Sequence, residues 1–414
     1  MGERFFLVEL SYRIKNIFSS SVLIFKAGRE MKTHKGAFYV SLCILFLFHL
    51  SCSKQQVAEW RGSIEKLNGV TVVNNPSAPL FGELVFDLVE DLSIGNLKDD
   101  KYLFSVILRI EVDSEGNIYV LEDSRNRRAQ KFSPKGEYLC SFGRMGQGPG
   151  EFQAPYPIII DDKNGQVALL DIRKILVFDK RGNHLNRDIP LNVSLLDLWV
   201  DAKGSKWGRV AKTQFNSRGD VEIREALVRL ANDGEIDREL ESYPLDIYAQ
   251  RSSSGTIAAV ASLEEYRLQI VPITKGGFVF GYSNKYEMKV LNPDGNLVRM
   301  IRKEEPVQYF SAEETNKYRR AKLPEHKPFF YLLFSDSEGR LYAQKNNARL
   351  ADSVDKEFDI FSKDGYYLYR TKCPLTPFVI ANGFFYTRTE NDATGDVFIK
   401  RYKIRNWNEI KNDI

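Results

Sequence analysis

At 414 residues, 43% hydrophobic and 12% aromatic, the chain is long enough to bury a large core. Its formal charge of +4 misleads: with seven of the 59 Lys/Arg and three of the 55 Asp/Glu inside residues 1–52, the remainder carries 52 of each, which excludes the basic field that draws proteins to nucleic acid. Only Cys140 and Cys373 follow residue 52, so there is no disulfide framework, and no CxxC suggests zinc.

In chain order, the first organised feature is "MKTHKGAFYVSLCILFLFHLSC", which begins at Met31. Lys32 and Lys35 form a basic head, Ala37 to Leu50 an apolar run, and Ser51 a small residue before Cys52. That is the order of a secretory signal, and the run is shorter than the ~20 residues a membrane-spanning helix needs. Ending at Cys, it resembles a bacterial lipoprotein signal, with His49 where Leu is usual; the resemblance implies lipidation of Cys52 and a membrane tether. An uncleaved anchor is the alternative. Residues 1–30 then read as an upstream extension from a misassigned start, 31–51 as the signal peptide and 52–60 as a polar tether.

The rest of the chain repeats. A first part consists of an apolar strand, a polar turn with Gly and a second strand, as in "RIEVDSEGNIYVL" and "LLFSDSEGRLYAQ". Its turn glycines are Gly116, Gly165, Gly204, Gly276, Gly339 and Gly383, separated by 39 to 72 residues. A second part is an apolar residue followed four later by Gly, at Phe132/Gly136, Phe178/Gly182, Leu230/Gly234, Leu291/Gly295 and Phe361/Gly365. Two hairpins in series make a four-stranded unit, and six such units predict an all-β, six-bladed β-propeller. The sixth unit lacks its outer strand, and a bare sheet edge is a liability. The Asn-Gly hairpin segment Gly62 to Pro76 is expected to supply that strand and close the ring. Two insertions interrupt the pattern: Ser311 to Pro328, which opens with a Ser311/Glu314 capping box and predicts one short helix, and Ala249 to Val260, which reads as a flexible loop. The propeller is expected over 61–405 with a C-terminal tail at 406–414. Cys140 and Cys373 fall in non-neighbouring units, so no bond between them is expected.

The units resemble NHL repeats, and the chain over about residues 60–405 is similar to six-bladed propeller lipoproteins of Bacteroidetes-type bacteria. "GRMGQGPGEFQAP" (Gly143 to Pro155), "IIIDDKNGQVALLD" and "KPFFYLLFSDSEGRLY" carry the resemblance. It implies a monomeric propeller in the cell envelope, on the outer membrane, and says little of activity.

Chemistry is harder to place. The glycine run lacks the Lys-Ser/Thr of a P-loop and precedes a strand, so it reads as an inter-unit connector. After the signal only His184 and His326 remain, too few for a three-His metal site, and His184 follows a turn where a solvated residue is expected. No GxSxG occurs. Asp113, Asp161, Asp201 and Asp336 each stand at a hairpin turn, where Asp bonds its own backbone. No cofactor is assigned, though calcium held by channel carboxylates, as in lactonase-type propellers, stays open. The expected functional face combines the loops between second and third strands with the inter-unit connectors: Asp123, Arg125, Asn126, Arg127 and Arg128; Asp171, Arg173 and Lys174; Asn284, Lys285 and Tyr286; and from the helical insertion Lys317, Arg320 and His326. Arginines there suit a carboxylate-bearing partner; the alternative is a solvated loop with packed Arg stems. The expectation is a non-enzymatic binding or scaffold module for an envelope protein or glycan, the alternative a calcium-dependent hydrolase or lyase.

Overall fold

The computed structural model describes residues 59–414 apart from 96–97, 124–126, 202, 216–220, 246, 252–256, 262–264, 274–276, 318–322 and 346–354. Cys52 and the signal segment lie outside the described residues, as do Arg125, Asn126, Arg320 and Gly276.

Where a first turn carries an Asp, at Asp113, Asp161, Asp201 and Asp336, the carboxylate acts on its own backbone. Asp113 accepts the N–H groups of Glu115 (3.1 Å) and Asn117 (2.8 Å), and its second oxygen accepts the Tyr119 hydroxyl at 3.2 Å. Asp201 receives Trp207 Nε1 (3.0 Å) and Asp336 the Tyr342 hydroxyl (2.9 Å) at the same six-residue offset. Asp113, Asp201 and Asp336 therefore each tie a turn to the strand that leaves it. The second turns are fixed by close approach. Gly234 has φ +90° and a Cβ there would lie 1.9 Å from the Pro190 carbonyl oxygen of the preceding blade; Gly365 likewise rests on Ile301. Glycine ends the second-turn motif because the next blade's turn packs onto its neighbour's outer strand.

These hairpins assemble into six antiparallel blades. Blade 1 comprises Val106–Val112, Ile118–Asp123, Ala129–Phe132 and Tyr138–Phe142; blade 2 Ile158–Asp161, Gln166–Asp171, Lys174–Asp179 and Ile189–Pro190. Blade 3 comprises Leu195–Val200, Lys206–Phe215, Val221–Leu230 and Ile236–Leu245; blade 4 Leu268–Pro272, Phe278–Tyr282, Glu287–Leu291 and Leu297–Lys303. Blade 5 holds Leu332–Ser335, Leu341–Gln344, Lys356–Phe361 and Tyr367–Cys373, and blade 6 Val379–Ala381, Phe384–Glu390 and Val397–Ile404. The core is distributed: one buried apolar cluster sits at each of the six blade junctions. Each fully buried Phe or Leu there contributes roughly 1.5–3 kcal/mol.

The N-terminal segment does close the ring, but with a different strand from the one expected. Leu88–Ile94 is the outer strand of blade 6, antiparallel to Val397–Ile404. The register is set by charge as well as burial: Glu90 takes Lys400 (2.7 Å), Asp91 takes Arg401 (2.9 Å), and Ile94 enters the core between blades 6 and 1. The predicted hairpin is real, with Asn68 and Gly69 both at positive φ in its turn. Its strands Ser63–Leu67 and Val70–Asn75 instead extend blade 4, Val70–Asn75 running parallel to Leu297–Lys303. Asn75 explains the choice. Its amide donates to the carbonyls of Gly365 (2.8 Å) and Arg302 (3.1 Å) and accepts the Tyr367 N–H (2.7 Å), partners that meet only where blades 4 and 5 join. Between the two segments Glu83–Leu84 pairs with blade 5, so residues 63–94 form a strap over three outer edges.

The expected loop at 249–260 is largely a hairpin, Ile247–Arg251 with Ile257–Ala261. The helix is present as Ala312–Lys317, with Ser311 and Glu314 exchanging hydrogen bonds across its start. Residues 406–414 pack down: the Arg340 guanidinium lies 4.1 Å from the Trp407 ring centroid and donates to the Ile410 carbonyl at 2.7 Å. Cys140 and Cys373 are free thiols.

Candidate functional site

The anticipated loop face is largely occupied with holding connectors. Arg127 pairs with Asp123 (2.9 Å) and donates to the Gln153 carbonyl (2.6 Å), while Asp171, buried, accepts the Gln153 and Ala154 N–H groups at 2.8–3.1 Å. Lys174 reaches the Gly148 carbonyl (3.4 Å), and within the same connector Glu151 takes Arg144 (2.7 Å). The structure thus gathers these residues around the glycine run, which joins blade 1 to blade 2. Arg128 bonds the buried Glu122 (2.9 Å) and the carbonyls of Asp100 and Leu103. Burial pushes the Glu122 carboxyl above its ordinary value despite that arginine.

Tyr286 is not on a surface at all. It is 5% exposed, donates to Asp359 at 2.6 Å, and lies with Tyr367 against the ammonium of Lys303, 4.8 Å from each ring centroid. Burial beside Asp359 pushes its hydroxyl pKa well up. Arg173 and Lys285 are exposed and Asn284 half-buried. His326 is half-buried between Tyr266 and Phe329, and Lys317 is placed by its backbone alone, at the end of the helix. His184 departs from the solvated expectation: its ring packs at a tilt against Phe178 and contacts Asp188 (2.6 Å) and Asn186 (3.1 Å).

The central channel is a concavity of about 1080 Å³, walled by the innermost strands of all six blades. Those strands present their unpartnered edges inward, so backbone N–H and C=O groups line much of the wall. Charged side chains punctuate it. Arg109 and Glu111 stand two apart on the inner strand of blade 1, hence on one face, and pair at 2.7 Å. Opposite Asp197 on blade 3's inner strand is Arg209 of the second strand, held 3.8 Å from Asp197 and 3.4 Å from buried Glu225. Burial raises the Asp197 carboxyl pKa against the pull of Arg209 and Arg109, which brings the two blades' charges into one electrostatic group. Tyr156 belongs to it too. Partial burial works against the charge of Arg109, yet Glu111, Tyr156 and Asp197 keep its guanidinium pKa raised. Further round, Arg267 pairs with Glu265 and Arg388 with Glu390. Among the described residues no group of three or more His, Cys, Asp or Glu is placed to hold a metal ion.

Sequence reasoning missed this constellation. Its signal was there: a charge inside an otherwise apolar inner strand, as in "ILRIEV" and "LLDLWV".

The comparisons with known proteins agree on architecture. A family described as "6-bladed beta-propeller" (DUF5128) matches residues 97–263. The chain is a six-bladed β-propeller. Among solved structures, a protein described as exported from Bacteroides fragilis NCTC 9343 superposes with TM-score 0.51 at 13% identity, over 80% of this chain and 100% of that one. A DUF4221 family member from Bacteroides vulgatus ATCC 8482 gives 0.43 at 12%, over 77% and 98%, and virginiamycin B lyase from Staphylococcus aureus 0.40 at 12%, over 77% and 99%. At 13% identity the likeness to the Bacteroides fragilis protein is one of fold alone. No curated protein matches the chain.

Proposed function

We propose that this propeller is a binding module of the bacterial cell envelope, tethered to the outer membrane by lipid on Cys52, and that its ligand enters the central channel. Function lives in sites grafted on folds, so the channel, rather than the propeller as such, has to support this reading. The observation that carries it is the wall itself: all six blades contribute, and paired charges face an open space of about 1080 Å³. The arginine loop favoured by sequence is a poorer candidate, because Arg127 and Arg128 already hold Asp123, Glu122 and connector carbonyls. The Ser335 and Thr387 hydroxyls of the wall donate to the carbonyls of Pro272 and Thr376 rather than to a base, which favours binding over catalysis.

The test is gentle extraction of the tagged full-length protein from native membranes, with mass spectrometry of what co-purifies. A stoichiometric partner or glycan lost on Tyr156→Ala supports the channel. Retention of that partner by Tyr156→Ala, with loss on Arg173→Glu, transfers the site to the loop face. Turnover of a substrate that stops on calcium chelation replaces the reading with a hydrolase or lyase.

A further inference from the structure

We propose that the channel ligand is an uncharged, hydroxyl-rich chain, a neutral oligosaccharide segment; this rests on the channel being the binding site. Charge balance is the first ground. Each arginine of the wall has a carboxylate partner, Glu111 for Arg109 at 2.7 Å, Asp197 and Glu225 for Arg209, Glu265 for Arg267 and Glu390 for Arg388, and with Asp162 and Lys356 counted the two signs nearly cancel. An anionic ligand would have to displace an internal carboxylate from its guanidinium, and a cationic one the reverse. Each exchange leaves a partly desolvated charge without its partner.

Capacity left over by the pairs points the same way. Arg109 uses one N–H on Glu111, and Glu111 one oxygen on Arg109; among the described residues neither makes another hydrogen bond. A guanidinium has five N–H donors and a carboxylate about four acceptor positions. Donors and acceptors therefore remain side by side, with the two side chains 36% and 24% exposed to the channel. A hydroxyl both donates and accepts at one atom, so it bridges such a pair without disturbing it. A peptide amide separates its donor and acceptor and matches the arrangement less well. Hydrogen bonds to charged partners are also stronger than neutral ones.

Shape agrees with both. Tyr156 presents a ring, 39% exposed, on the same channel wall as Arg109, and a sugar's C–H face packs on an aromatic face while its hydroxyls meet the charged pairs. At about 1080 Å³ the space lies above the usual ~300–1,000 Å³ of small-molecule sites, which suits several linked rings rather than one.

The experiment is calorimetric titration of the full-length, detergent-solubilised protein. Ligands are neutral oligosaccharides of increasing length, oligouronates and unstructured peptides, each at about 50 mM and about 500 mM salt to vary screening. A neutral oligosaccharide should bind, more tightly with length, and change affinity less than about twofold between the two salts. Glu111→Gln and Tyr156→Ala should each weaken it about tenfold or more. Both positions are partly exposed and neither lies in a blade-junction core, and unchanged melting temperatures confirm the fold. Preferential, salt-sensitive binding of oligouronates, or binding of peptides, overturns the ligand class while leaving the channel as the site. Ligands whose binding ignores both substitutions, or no binding in any class, overturn the channel reading itself.

Discussion

Two buried polar side chains show how single residues hold this ring. Asn75 uses its whole amide: two donations to carbonyls of blades 4 and 5, and acceptance from Tyr367 N–H and Trp60 Nε1. Asn75→Ala leaves the buried Tyr367 N–H unpaired and should cost about 3 kcal/mol. The check is urea denaturation, with a lower midpoint and an unchanged slope. Glu122 behaves differently, because burial holds its carboxyl above the ordinary 4.5 in spite of Arg128. For an acid with a raised folded pKa, ionisation is less favourable folded than unfolded. Its contribution to stability therefore grows as pH falls through the folded pKa and is complete below the unfolded one. Gln has no such dependence. The melting-temperature difference, parent minus Glu122→Gln, should move in the parent's favour between pH 7 and the ordinary value of 4.5. A constant difference across that window removes the effect. Neither role was legible in sequence: Asn75 meets partners some 290 residues away, and the burial of Glu122 appears only once blade 1 is packed.

At the scale of the hairpin the sequence was far more legible. The Asp at a hairpin turn and the Gly four after an apolar residue are local and recurrent, and each maps onto one physical job. The jobs differ, which makes them separable by experiment. Gly165 has φ +65° with no atom within 4 Å of where a Cβ would stand, so Gly165→Ala incurs only the left-handed penalty of ~1–2 kcal/mol. Gly234 has φ +90° and faces the Pro190 carbonyl at 1.9 Å, so Gly234→Ala must also move a backbone and should lose more than about 3 kcal/mol. Equal losses, measured by thermal melts of the two variants, contradict the account of blade-on-blade seating. The channel was illegible for the opposite reason to the turns. Arg109, Glu111, Asp197 and Arg209 acquire meaning only when blades 1 and 3 face a common space, and no short-range pattern encodes that. The hairpin at 247–261 escaped notice because "SSSG" reads as a linker while the flanking residues pair.

For the molecule as a whole, ring closure was predictable as a necessity but not in its detail. An unfinished last blade demanded a strand; which upstream strand served was decided by Glu90 and Asp91 meeting Lys400 and Arg401, and by Asn75 binding elsewhere. Truncation separates the two roles. A chain beginning at residue 77 keeps Leu88–Ile94 and should remain a folded, less stable monomer. One beginning at residue 95 leaves Val397–Ile404 with an open edge and should associate or aggregate. Size-exclusion chromatography beside melting curves tells them apart, and identical behaviour refutes the division of labour.

The strap has one more consequence, in time rather than space. Its closing strand is among the first parts of the propeller to be synthesised, and its partner the last: Glu90 and Lys400 are 310 residues apart. At ~5–20 residues per second the early strand waits roughly 15 to 60 seconds for the late one. Blades 1 to 3 can form as they emerge, and the strap pairs first with blade 4 and then with blade 5, but its closing strand Leu88–Ile94 stays unpaired until the end of the chain arrives. An interrupted chain therefore never latches, and its open edge marks it for proteolysis before it can pass as finished protein.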